Sequence, residues 1–295
     1  PGARWIREAA AAIDPDRKTV TLSGGQVLGW DYLVVAPGIQ FDWDRVKGLS
    51  AALGTGGVCT NYAYDEAPYT WEALQAAARK PGRVRLLSAQ PAGPFKCGGA
   101  PQKILYLAAD YMRRQGRLAE SDLHFFTPGT TLFGVPEFLA TIEKVVERYG
   151  IEPHFQHELI EVRGEAREAV FRVVAPDGSI SERVEPYDFL HVTPPQAPPE
   201  VVRQSAIANA EGWVEADPAT LQHPRYPHVF TLGDASGSPN AKTGAAVRKQ
   251  APVVVENLLA HRRGDATLPA TYNGYASCPL VTSYNGLILA EFDYE

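Results

Sequence analysis

Pro94-Phe95-Lys96-Cys97-Gly98-Gly99-Ala100-Pro101-Gln102-Lys103-Ile104 joins two stretches of different period. Before it, the apolar run Val84-Arg85-Leu86-Leu87-Ser88 predicts a strand. After it, Ile104, Leu105, Leu107, Ala108, Tyr111 and Met112 recur at helical spacing. Cys97 therefore falls in a strand-to-helix turn, with Pro101 suited to the helix's first turn. Such turns carry phosphate-binding amides or reactive groups in many nucleotide-binding folds. A thiol facing the positive end of a helix is favoured as thiolate. A small buried cysteine in a tight turn is the plainer alternative.

Outward from this turn the pattern continues. Trp71–Ala78 predicts a short helix ended by Pro81-Gly82, and Asp122–Thr127 a strand. Phe138–Tyr149 predicts an amphipathic helix with Leu139, Ile142, Val145 and Val146 inward, capped by Gly150. His154-Phe155, Leu159–Val162 and Ala169–Val174 read as strands, Asp177-Gly178 as a hairpin turn, and Asp188–Thr193 as a buried strand closed by prolines. From 84 to 193 this is an α/β dinucleotide-type domain with a β-meander insertion. Its first strand-helix turn lacks Gly-x-Gly-x-x-Gly and carries Cys97 and Lys103 instead.

The flanks hold further elements. Residues 4–30 read as a hairpin or meander, and Leu33–Ala36 as a buried strand broken by Pro37-Gly38. Residues 48–62 are rich in Gly, Ala and Thr and read as a mobile loop carrying Cys59. The strand Val229–Leu232 ends in Gly233-Asp234, and a helix starts near Lys242-Thr243-Gly244. Cys278, next to Pro279 in a closing strand, reads as a packed thiol. The expected domains are 1–48, 49–195, 196–262 and 263–295.

Composition bounds the function. The chain of 295 residues is 45% hydrophobic and 21% charged, an ordinary globular balance. A net charge of -6 without a long basic run argues against nucleic acid as the main partner. No apolar run approaches the ~18 residues of a membrane-spanning helix, and no signal-peptide pattern opens the chain. Three cysteines form neither a disulfide framework nor a CxxC, and the seven histidines do not join them at zinc-ligand spacing. No metal is expected. The single methionine, Met112, suggests a piece of a longer protein.

Several strings together resemble the sulfide:quinone oxidoreductase family of FAD-dependent pyridine nucleotide-disulfide oxidoreductases, in the subgroup with the mitochondrial enzymes and bacterial relatives. They are Lys96–Ile104, Leu190–Pro195, Gly212-Trp213-Val214, Thr220–His223, Gly274–Thr282 and Ile288–Tyr294, and the resemblance covers essentially the whole chain. It implies two tandem Rossmann-like domains, with the FAD-binding βαβ unit before Pro1 and a membrane-associated segment after Glu295. The chain by itself is then expected to bind FAD poorly and to be inactive alone. The resemblance places the backbone at Ala36 and Gly38 close to FAD. It gives Gly233 and Asp234 to the ribitol, and puts Lys242 and Thr243 at the helix start beside the flavin.

The activity implied is oxidation of sulfide through a cysteine persulfide, with electrons passed to quinone and sulfur to an acceptor such as a small thiol or sulfite. The setting implied is the peripheral membrane surface of a bacterial cell, or alternatively the mitochondrial inner membrane. Cys97 matches one cysteine of the reacting pair. The resemblance puts the second directly after Gly-Asp, where this chain has Ala235. Either Cys59 pairs with Cys97 instead, or the protein is a non-catalytic flavin-binding relative. Lys103 then holds thiolate or flavin charge, or is simply solvated. An NAD(P)H-dependent flavoprotein quinone or disulfide reductase is the other alternative, weakened by the missing glycine motif.

Overall fold

The computed structural model describes residues 2–294, which divide into two compact units. The larger comprises Phe41–Gln196 and Cys278–Ala290. Its centre is a five-stranded, all-parallel sheet in the order Val58–Cys59, Phe189–Val192, Val84–Ala89, Ser121–Phe126 and Ile151–His154. Leu86, Leu87, Phe189 and Leu190 are fully buried in its central strands. That accounts for their continuous rather than alternating apolar pattern, because helices cover both faces of a parallel sheet. Burying each such side chain contributes about 1.5–3 kcal/mol.

The helices Ala67–Arg79, Ala100–Arg114 and Leu139–Tyr149 supply that cover. The last buries Ile142, Val145 and Tyr149 and ends at Gly150, whose φ of 65° is the left-handed cap expected there. The expected meander is an antiparallel sheet of His157–Arg163, Glu168–Val174 and Ile180–Pro186.

Residues 48–62 are not a mobile loop. They contain the short helix Leu49–Ala52 and the edge strand Val58–Cys59, which pairs with Leu190 and His191. The glycines are there for close approach: a side chain at Gly57, held at φ 94°, would run into the Asp188 carbonyl.

The smaller unit comprises residues up to Gln40, Ala197–Ser277 and Glu291 onward. It holds the meander Ala10–Asp14, Thr19–Leu22, Val27–Gly29 and a parallel pair, Leu33–Val35 with Val229–Thr231. The 20-residue helix Gly244–Arg263 starts at Thr243, whose hydroxyl accepts the Ala246 amide at 3.1 Å. Of the hairpin Ala276–Ser283/Gly286–Phe292, residues Cys278–Ala290 fall in the larger unit and the rest in the smaller. No helix among the described residues is long and apolar enough to cross a membrane.

Candidate active site

The turn after Val84–Ala89 is fixed from both sides. The Ser88 hydroxyl donates to the Pro101 carbonyl at 2.9 Å, tying the strand to the first turn of Ala100–Arg114. Between them Cys97 is held at φ 57°, and its carbonyl accepts the Ala100 amide at 2.7 Å. Holding a non-glycine residue in this region costs about 1–3 kcal/mol, and such strain gathers at functional sites.

The strained conformation brings the Cys97 sulfur to the Lys103 ammonium, 3.1 Å away, and to the sulfur of Cys278, 3.6 Å away. Cys278 comes from the closing hairpin, 181 residues along the chain. The packed thiol of the sequence reading is thus the one that faces Cys97.

Three contacts dock the hairpin. Asp110, fully buried in the helix behind the turn, accepts the Tyr284 amide at 3.1 Å. The Tyr149 hydroxyl donates to the Thr282 carbonyl at 2.8 Å, and Arg148 donates to the same carbonyl at 3.3 Å. Burial pushes the Asp110 carboxyl up, but the Tyr284 amide and the guanidinium groups of Arg113 and Arg114 outweigh it, so its pKa lies below the usual carboxylate range. The close approach also needs Gly99. A Cβ there would collide with the Leu280 side chain and lie 3.0 Å from the Cys278 sulfur.

The two thiols are unlike. The hydrogen bond from the Cys278 thiol pulls the Cys97 pKa down; burial opposes it, and the Lys103 ammonium and the Ala100 amide add to it. Cys278 is pushed up, because as a thiol it donates to Cys97 and because it is buried. The pair is a thiolate on Cys97 and a thiol on Cys278. Tyr62 closes the site: its hydroxyl donates to the Lys96 carbonyl at 3.2 Å, and burial, with the neighbouring Cys97 charge, pushes its pKa up.

Cys59 is not part of this group. It is fully buried, its thiol faces the Leu190 carbonyl at 3.6 Å, and burial pushes its pKa up to about 12. It therefore stays a neutral thiol. The expectation that Cys59 stands opposite Cys97 is replaced by Cys278. The sequence signal for Cys278 is weak, because its apolar strand reads as packing, and nothing local singles out Tyr62.

In the smaller unit, Ala36 follows the strand Leu33–Val35 and Gly38 takes φ 83° with open space where a side chain would stand. Gly233 takes φ 75°, and Gly233–Ala235 form one helical turn. The Lys242 ammonium bonds the carbonyls of Asp234 at 2.6 Å and Ser236 at 3.0 Å, and lies 3.7 Å from the Trp213 ring centroid. Burial pulls its pKa down to about 8. Lys242 thus braces the turn through its backbone carbonyls. Thr243 caps the helix, and Gly244 beside it faces open space. Ala235 is fully buried in an apolar cluster with Val35 and Val229.

The all-parallel sheet with helices on both faces, and a low-pKa thiol in its strand-to-helix turn, defines a mixed α/β fold. Solved structures agree on the fold. A chain in the Tetrahymena thermophila mitochondrial ATP synthase superposes with a TM-score of 0.81, at 24% identity over 98% of this chain and 70% of that one. The sulfide:quinone oxidoreductase of Aquifex aeolicus superposes with a TM-score of 0.77, at 20% identity over 97% and 70%. No protein-family model matches the chain. Sequence comparison is more specific: the chain is 41% identical over 294 residues to the mitochondrial sulfide:quinone oxidoreductase of Dictyostelium discoideum. That match covers 99% of this chain and 63% of the relative, so the chain spans less than two thirds of the relative's length. Along that span it is similar to mitochondrial sulfide:quinone oxidoreductases, with 38% identity over 293 residues to that of Mus musculus as well.

Proposed function

We propose that the protein oxidises sulfide with Cys97 and Cys278 and delivers the electrons to a quinone by way of FAD. The observation that carries this reading is the pair of sulfurs 3.6 Å apart beside the Lys103 ammonium. Sulfurs in a disulfide lie ~2.05 Å apart, so the pair closes by about 1.5 Å on oxidation.

Hydrosulfide attacks the disulfide. A new S–S bond forms to one cysteine, giving a persulfide, and the old S–S bond breaks with its electron pair staying on the other sulfur. The lower-pKa thiol is the better leaving group. Cys97, with its lowered pKa, leaves as thiolate held by Lys103, and the persulfide forms on Cys278. A small thiol or sulfite then takes the outer sulfur, and Cys278 is released as a thiolate.

FAD, when bound, supplies the acceptor for the two electrons released as the cysteine pair is reoxidised, and passes them to quinone. The residues of the smaller unit fit it. The Asp234 carboxylate suits a ribitol hydroxyl, and the open backbone at Gly38 and Gly244 admits a close ligand. The helix start at Thr243 favours an electron-rich ring edge. On this reading the chain carries parts of two tandem Rossmann-like domains. It works on a membrane surface, bacterial or mitochondrial, where quinone is available.

Ala235 no longer argues for a non-catalytic relative, since Cys97 has another thiol partner. The test is anaerobic sulfide titration of the flavin-loaded protein, read as flavin bleaching. Cys97→Ser and Cys278→Ser should abolish it and Cys59→Ser should not. Bleaching that survives Cys278→Ser would refute the assignment.

A further inference from the structure

The strands Ser121–Phe126 and Ile151–His154 pair in parallel with His124 opposite Glu152. Residues two apart in a strand share a face, so Glu152 and His154 project beside His124. The His124 Nδ1 and His154 Nε2 atoms are 3.0 Å apart. The two Glu152 carboxylate oxygens lie 3.5 Å from the first and 3.7 Å from the second. Donor atoms around a tetrahedral ion with bonds of about 2.0–2.1 Å stand roughly 3.3 Å from one another. The carboxylate lies over both nitrogens at the spacing of ligands around one ion. Both rings are buried while Glu152 is 64% exposed, so the group has a solvent side through which an ion can enter.

We propose that His124, Glu152 and His154 bind a divalent transition cation of the zinc type, with water as the fourth ligand. One further observation supports the site. Glu152 has no Arg or Lys partner among the described residues.

The surrounding charges balance before the ion arrives. Arg183, 3.4 Å from the outer nitrogen of His154, and Arg85 are both paired with Glu185, while Glu152 is the fourth charge. On binding, the outer His154 nitrogen carries the proton, and Arg183 turns from the ring while keeping Glu185. Mixed nitrogen and oxygen donors select zinc, cobalt or nickel over magnesium and calcium, which take oxygen ligands. His154 stacks on Phe126 with centroids 4.4 Å apart, and Phe126 stacks on Phe171 at 4.0 Å, so the ion would stiffen the sheet through its core.

The test uses metal-stripped protein in a Cys97→Ser background, so that the thiol pair does not take the ion. Equilibrium dialysis with Zn2+ should give one ion per chain, and Co2+ should give the visible absorption of a tetrahedral site. Loss of partners beyond the ligands already costs roughly 10–100-fold in metal affinity, so Glu152→Gln and His154→Gln should each weaken binding by about tenfold or more. Glu152 is exposed, so its variant separates ligand loss from misfolding. No Zn2+ bound, or equal binding by the parent and Glu152→Gln, overturns the proposal.

Discussion

Gly99→Ala tests the thiol pair with one methyl group. Gly99 has φ -89° and ψ -4°, so alanine keeps the backbone unstrained, and any effect comes from packing. The new Cβ would collide with the terminal methyl of Leu280 and stand 3.1 Å from its Cγ and 3.0 Å from the Cys278 sulfur. Comfortable contacts are about 3.5–4.0 Å, so the hairpin strand must retreat by at least about 0.5 Å. That retreat widens the 3.6 Å separation of the sulfurs, opposite to the closure a disulfide needs. Overpacking of this kind costs about 1–3 kcal/mol. The assay is oxidation of the reduced protein followed by thiol counting, with denaturant unfolding alongside. Slower or incomplete Cys97–Cys278 disulfide formation and a lower unfolding midpoint are expected. Gly98→Ala is the control, because Gly98 is exposed with open space around its would-be side chain, and it should behave as wild type. Wild-type oxidation and stability in Gly99→Ala would refute the reasoning.

Two other perturbations follow from the same geometry. Lys103→Met removes the ammonium 3.1 Å from the Cys97 sulfur, so the pH midpoint of iodoacetamide labelling should move up toward the ordinary thiol value of ~8.5. Because the folded-state pKa of Cys97 is lowered, its contribution to stability is present above the unfolded thiol pKa and is lost as pH falls through the lowered value; Lys103→Met should shrink that dependence. Asp110→Ala leaves the Tyr284 amide without its buried acceptor, at a cost of about 1–3 kcal/mol, while the exposed Arg113 and Arg114 guanidinium groups return to water. Hydrogen exchange at Tyr284 should rise and disulfide formation slow, whereas unchanged exchange would separate Asp110 from hairpin docking.

The class of fold was legible in the chain because its signals are local. A strand buried on both faces needs a continuous apolar run, as in Val84–Ala89, and a surface helix needs the 3.6-residue spacing of Leu139–Tyr149. Cys97 and Lys103 could be placed at the helix start for the same reason, since they are one and a half turns apart. The loop reading of residues 48–62 failed because glycines that permit close approach, such as Gly57 against Asp188, look in sequence like glycines that permit motion.

By itself, then, the chain determined a parallel α/β domain with a meander, a thiol in the strand-to-helix turn and the Gly-Asp turn. Tertiary structure alone decided which thiol meets Cys97. In sequence Cys59 reads as a loop thiol free to reach Cys97 and Cys278 as a packed one, and no local pattern encodes a contact across 181 positions. The choice rests on the Asp110 carboxylate, the Tyr149 hydroxyl and the missing side chain of Gly99, which together dock the hairpin and bring Cys278 to the thiolate. The pairing of His124 with Glu152 and His154 has the same origin. Strand register, set by the sheet as a whole, brings three ordinary residues to one point.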